Sequence, residues 1–357
     1  MVDRVTLDVQ GEPEAIPDDA DDNVYFINQT AALEFIDTGC AVLNCAIGGG
    51  WPLKRIANII GDESTGKTLM AIEAAANFHH SYPDGLIFYR ESESAFEEEY
   101  AEALGMPVSA VEFIDPEKFI TVEDFFDDLK RACKRCIEAG VRGLYVCDSL
   151  DALTDEDELA SVQKKNGFGK GTYGTKKAKD MGKLLRLCRL EINKANMCLI
   201  IVSQTRDKIG TLFPMKTRAG GRALDFYASQ CLWLSHLDEV RVTRDGIKRT
   251  AGIRIAAKCK KNKIALPYRK CEFTIMFGQG IDSLASSLDF LEAAKRLEDV
   301  CGVKRETYEK RMDKLTNREY WAEVRRVDQA TVAIWQEVDR RVLEDTRRKY
   351  RDGYYDE

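Results

Sequence analysis

The 357-residue sequence contains no run of eighteen apolar residues, so no membrane-spanning helix is expected. Its opening stretch, "MVDRVTLDVQGEPEAIPDDADDN", lacks the apolar core of a secretory signal. Both absences point to a cytoplasmic protein with no membrane partner. Its eleven cysteines are then expected to stay reduced, and their odd number and scatter agree with that. "CKRC" at Cys133–Cys136 has metal-like spacing, but no second cysteine pair or histidine cluster answers it. It also falls on a helical pattern, so buried or half-buried thiols are expected rather than a zinc or redox site. There is no internal repeat and no low-complexity tract. Excess positive charge is missing too. The formal charge is −7, so net charge alone does not indicate a nucleic-acid binder.

What is present reads as globular. The hydrophobic and charged fractions are 44% and 32%, and the length suits one large domain or two ordinary ones. Residues 11–22, "GEPEAIPDDADD", hold six carboxylates and two prolines, so residues 1–23 read as a flexible acidic lead. Order is expected from "NVYFIN" onward. Apolar strands "RIANII" (55–60), "GLIFYR" (85–90), "GLYVCD" (143–148) and "CLIIVSQ" (198–204) alternate with helical patterns. One helix follows residue 68. A second has its apolar face at 122, 125, 126, 129, 133, 136 and 137, and a third runs from Met181 to Ala195. Non-alternating apolar strands between helices predict an α/β fold with a mainly parallel sheet covered on both faces. After residue 230 the stretches "CLWLSHL", "EVRVT", "GIRIAAK" and "CEFTIMF" read as strands, with "RDGI" (244–247) as a hairpin turn. Residues 285–351 read as helical, with Trp321, Val324, Thr331, Ile334, Trp335, Val338 and Val342 in one stripe.

"GDESTGKT", residues 61–68, fits G-x-x-x-x-G-K-[ST] between a strand and a helix. Gly61, Asp62, Glu63, Ser64, Thr65 and Gly66 would wrap phosphates with backbone amides, at a helix N-terminus that favours anions. Lys67 would reach the β- and γ-phosphates, and Thr68 would hold magnesium. Asp148, at the carboxyl edge of "GLYVCD", is the expected second magnesium-associated group. A group that orients or deprotonates water is also needed, and Glu91 and Glu93 both qualify by pattern. Gln204 ends its strand where a carboxamide could distinguish triphosphate from diphosphate.

Two segments run against the acidic average. Residues 164–179, "KKNGFGKGTYGTKKAK", hold six lysines, four glycines and no carboxylate. Lys164, Lys165, Lys170, Lys176 and Lys177 suit a phosphate backbone, and Phe168 and Tyr173 could wedge or stack against bases. Residues 205–224, "TRDKIGTLFPMKTRAGGRAL", carry Arg206, Lys208, Lys216, Arg218, Gly220, Gly221 and Arg222, and begin right after Gln204. Long loops inside compact domains are usually functional or disordered. This one could couple nucleotide state to a basic surface.

From Phe35 to Leu291 the sequence resembles the RecA family of homologous-recombination ATPases. The resemblance rests on "FIDTGCAVLNCAIGGGWPLKRIANIIGDESTGKT", "YAEALG", "VCDSLDALT", "IIVSQTRDKIG", "AGGRALDFYAS" and "KKNKIALPYRKCEF", in that order. It implies a RecA-like phosphate-loop ATPase core over residues 24–291, using ATP and Mg2+, with DNA-binding loops near 161–179 and 205–224. It implies that Glu93 is the catalytic glutamate, that Tyr100 stacks on adenine, and that Gln204 senses ATP. Lys261 and Lys263 match lysines that reach a neighbouring subunit's ATP, and Phe226 matches an aromatic at that interface. The implied partners are single-stranded DNA, homologous duplex DNA and further copies of the chain in a helical filament.

The sequence also departs from the family pattern. Only a short acidic lead stands where a longer N-terminal arm is usual, which leaves Val24–Ile27 as a candidate subunit contact or a packing segment of the same subunit. From Lys304 onward there is no match, so residues 292–357 are expected to be a helical region that packs on the core or meets duplex DNA or a partner. The expected activity is DNA-dependent ATP hydrolysis coupled to strand exchange. The alternatives are a ring-forming helicase or translocase, and a non-catalytic ATP-switched DNA coat or recombination mediator.

Overall fold

A computed structural model describes residues 33–93, 96–156, 159, 173–207, 216–218 and 221–344. The apolar runs become strands, and those at Ile56–Gly61 and Gly143–Asp148 are buried along their whole length. In chain order the strands are β1 (Phe35–Ile36), β2 (Trp51–Pro52), β3 (Ile56–Gly61), β4 (Leu86–Glu91), β5 (Val111–Phe113), β6 (Gly143–Asp148) and β7 (Met197–Asp207). Interleaved with them are α1 (Ala41–Ile47), α2 (Lys67–Ser81), α3 (Glu98–Ala103), α4 (Val122–Ala139) and α5 (Tyr173–Lys194). Next come β8 (Lys216–Arg218), α6 (Gly221–Tyr227), β9 (Gln230–Arg244), β10 (Ile247–Asn262), β11 (Lys270–Met276) and β12 (Gly280–Asp282).

The main sheet runs β12-β11-β10-β9-β3-β7-β6-β4-β5, with β8 paired to β7 off that path. From β9 to β5 every pairing is parallel, and from β9 to β12 every pairing is antiparallel. Successive strand side chains point to opposite faces, and both faces are covered. Ala57, Ile59, Leu144, Val146 and Ile200 pack with α2, while Ile60, Tyr145, Cys147, Leu199 and Ile201 pack with α4 and α5. Burial on both faces explains why these strands read as continuous apolar runs.

Helix α4 starts where its sequence says it should. Thr121 Oγ1 accepts from Asp124 N at 3.1 Å, and Asp124 Oδ2 accepts from Thr121 N at 2.9 Å, a reciprocal cap. Cys133 and Cys136 lie on its buried face, as the helical pattern predicts. Beneath it, Arg90 is 1% exposed and donates to Asp128 Oδ2 at 2.6 Å, and Tyr145 Oη donates to the same oxygen at 2.8 Å.

The two strands read at 231–237 and 239–243 are one strand, β9, whose outer half is exposed along with the facing part of β10. Its hairpin turns at Asp245 and Gly246, both with positive φ, as the Asp-Gly pair predicts. The C-terminal helices are α7 (Ser283–Ala293), α8 (Leu297–Cys301), α9 (Arg305–Met312) and α10 (Asn317–Glu344). They share a cluster built on Leu288, Leu291, Tyr308, Val327 and Ile334. Trp335 stacks on Phe290 at 5.1 Å between ring centroids and joins the core on the α2 face of the sheet.

Candidate nucleotide site

Strand β3 ends at Gly61 and α2 begins at Lys67, so the loop between them opens onto a helix N-terminus. Gly66 has φ +81°, a left-handed conformation that favours glycine, and a Cβ there would lie 2.3 Å from Ile275 Cδ1, which would have to shift. The loop is tied to itself. Thr65 Oγ1 donates to Asp62 O at 2.8 Å, and Lys67 Nζ donates to the same carbonyl at 2.5 Å. Burial pushes the Lys67 ammonium below its ordinary pKa, while the charges of Asp148, Glu93, Asp62 and Asp151 oppose that shift.

Parallel pairing of β3, β7, β6 and β4 brings their carboxyl ends together beside this loop. Asp148 ends β6, is 5% exposed, and accepts from Tyr89 Oη at 3.0 Å and from the Thr68 hydroxyl. Burial raises its pKa first, the charges of Glu93 and Glu91 add to that, and the two hydroxyl bonds pull the other way. The Thr68 hydroxyl and the Asp148 carboxylate are adjacent hard oxygen donors, the kind that suits magnesium. The glycine-lined cradle and the lysine suit a polyphosphate.

Glu93 follows β4. Its Oε1 accepts from Ser149 Oγ at 2.6 Å and from Gln204 Nε2 at 3.1 Å. The residues expected to activate water and to sense nucleotide are therefore in direct contact. Glu91, the other carboxylate open by pattern, instead accepts from Glu93 N at 2.8 Å. Sequence reading passed over Ser149, Tyr89 and Asp151. Asp151 Oδ2 accepts from Gln204 N at 2.8 Å. The signal for two of them was "SLD", residues 149–151, directly after Asp148. Tyr100 lies on α3, 36% exposed, and its pKa is raised by burial and then by the charge of Glu73.

Lys261 and Lys263 sit elsewhere. Lys263 N donates to Ser229 O and Ser229 N donates to Ile56 O, which sets this end of β10 level with the start of β3. The phosphate loop follows the other end of β3, five residues on, roughly 16 Å along the strand. Lys261 Nζ and Lys263 Nζ donate to Phe226 O at 2.8 and 3.3 Å. Phe226 is 67% exposed. These three residues form one surface cluster, away from their own chain's phosphate loop.

Lys164, Lys165, Lys170, Phe168, Lys208, Gly220 and Val24–Ile27 lie outside the described residues. Tyr173, Lys176 and Lys177 are on the first turns of α5, so the end of the first basic segment has helical backbone rather than loop. Arg206 is on β7, Lys216 and Arg218 are on β8, and Gly221 and Arg222 open α6. Among the described residues no helix is long and apolar enough to cross a membrane.

A parallel sheet with a glycine-lysine loop at one strand end, and carboxylates on the neighbouring strand ends, defines a phosphate-loop nucleotide-binding protein. The profile described as the RecA N-terminal domain matches residues 24–282. The chain belongs to the RecA family. It is 34% identical to Protein RecA of Borrelia hermsii over 259 residues, 72% of this chain and 68% of that protein. It is 33% identical to Protein RecA of Aquifex aeolicus over 267 residues, covering 74% and 71%. With Protein RecA of Cutibacterium acnes the identity is 34% over 263 residues, covering 73% and 70%.

Proposed function

We propose that the chain is a DNA-dependent ATPase that assembles as a helical filament on single-stranded DNA and pairs that strand with homologous duplex DNA. The contact of Gln204 Nε2 with Glu93 Oε1 at 3.1 Å, beside the phosphate loop and at the root of a basic segment, carries this reading. Residues 61–66 would enclose the phosphates with backbone amides. Lys67 would swing from Asp62 O to the β- and γ-phosphates, and Tyr100 would stack on adenine. Thr68 and Asp148 would hold Mg2+, which when bound neutralises charge on the transferred phosphoryl group.

Glu93 would take a proton from the attacking water, with Ser149 fixing its carboxylate. Gln204 would exchange its bond to Glu93 for one to the γ-phosphate, and that exchange reports on the nucleotide. Lys261 and Lys263 are set too far from their own loop to serve it, which supports a role at the ATP of an adjacent subunit. Phe226, exposed beside them, would meet that subunit. The basic residues of the two loops would hold single-stranded DNA, with a salt dependence of about −0.7 per neutralised phosphate.

ATP turnover measured with and without single-stranded DNA, with electron microscopy of the same samples, tests the reading. Helical filaments and DNA-stimulated turnover are expected. Closed rings would indicate a helicase-like motor. Glu93→Gln should retain DNA binding and lose hydrolysis, and unchanged turnover would remove Glu93 from its role.

A further inference from the structure

Gln204 reaches Glu93, and the residue after it ties the second basic segment to the phosphate loop itself. Thr205, the next residue on β7, donates its hydroxyl to Asp62 Oδ1, inside the phosphate loop. Thr205 also begins the pairing of β7 with β8, with Thr205 opposite Arg218 and Asp207 opposite Lys216. The stem of the basic segment therefore starts at a residue bound to the nucleotide loop by its side chain.

We propose that Asp62 and Thr205 form a latch that couples nucleotide occupancy to the position of the basic segment. Both are positioning residues, and the proposal rests on the DNA-dependent ATPase reading. The Asp62 peptide is also the point that holds Lys67, through its carbonyl. When Lys67 turns to a phosphate it releases that carbonyl, and the phosphate charge repels the Asp62 carboxylate. Both changes act on the group that Thr205 holds. Asp151, bound to Gln204 N, fixes the strand one residue earlier, so displacement is directed to Thr205 and the β8 pairing beyond it.

The test uses the full-length chain and a fluorescent oligothymidine. DNA affinity is measured with a nonhydrolysable ATP analogue and with ADP, and the ratio of the two dissociation constants is the coupling factor. Thr205→Val is expected to reduce that factor on the order of tenfold, within the usual range for allosteric coupling. Thr205→Ser, which keeps the hydroxyl, should restore it to about the wild-type value. Asp62→Ala, which removes the acceptor, should lower the factor as well, and adding Thr205→Val to it should change little more, because both act on one bond. A wild-type factor in Thr205→Val, or losses that multiply in the double variant, overturns the latch while leaving the functional reading in place. If Thr205→Val does not fold, Asp62→Ala decides alone, and an unchanged factor overturns the latch. A wild-type factor of one would overturn both the latch and the functional reading on which it rests.

Discussion

Replacing Glu73 with glutamine should change how stability depends on pH. Glu73 lies on α2, and its Oε1 accepts from Ile281 N at 2.6 Å. Gly280 and Gly39 crowd it closely. A Cβ on Gly280 would fall 2.1 Å from Oε1, and one on Gly39 would fall 2.8 Å from Oε2. Burial, and then the charge of Asp37, push the Glu73 pKa from 4.5 up to about 7, against the opposing Ile281 N–H bond. The folded state therefore holds this proton more tightly than the unfolded chain. The resulting stabilisation is complete below pH 4.5 and is lost as the pH rises through 7. Between pH 5.5 and 8 the loss from this one group is about 2 kcal/mol.

Glutamine keeps an acceptor for Ile281 N and does not ionise. Urea unfolding at pH 5.5 and 8 should show Glu73→Gln gaining about 2 kcal/mol on the wild type across that interval. Parallel pH profiles for the two proteins would refute the account of this carboxylate. A shift of the opposite sign would mean that the charged form is the one the fold prefers.

Asp128→Ala should destabilise the chain by about 1–3 kcal/mol, because Arg90 and the Tyr145 hydroxyl would lose their shared buried acceptor while Arg90 keeps its ion pair with Glu112 at 2.9 Å. A lowered urea midpoint with an unchanged slope would register that loss. Ser149→Ala removes the 2.6 Å bond to Glu93 Oε1 and should slow DNA-stimulated turnover roughly tenfold, about 1.4 kcal/mol, with little change in DNA affinity. Lys67→Ala chains and Lys261→Ala chains should each be nearly inactive alone. Mixed, they should recover measurable turnover, because some interfaces then combine an intact loop with an intact lysine. An inactive mixture would place Lys261 in its own subunit's chemistry.

The fold was largely legible because its signals are local. An apolar strand with glycine at its end, then an eight-residue phosphate motif and a helix former, requires no tertiary information. The contacts of Glu93 and Gln204 are of another kind. They depend on β4, β6 and β7 ending at one level, and the order of those strands is not written in any single segment. Ser149, Asp151 and Thr205 looked like ordinary polar residues at strand ends, and only their partners distinguish them. Only the middle of the stripe on α10 is covered. Val324, Thr331, Ile334 and Trp335 are buried, whereas Trp321, Val338 and Val342 are exposed, because helix periodicity continues past the surface it covers. Strand β9 read as two strands because its texture changes where it leaves the core, from apolar at Leu232 and Leu234 to exposed from Ser235 to Glu239.

Ten of the eleven thiols are buried and Cys45 is half-buried, so an alkylating dye added at neutral pH would find few targets in the folded chain. The β9–β10 ribbon provides the contrasting location. Its tip stands ten residues beyond Leu234, roughly 33 Å of strand, and Arg244 and Lys248 there are exposed. One cysteine introduced at Lys248 would give a site-selective fluorophore on an otherwise silent background. Energy transfer between such dyes on different copies would then follow assembly and disassembly in real time.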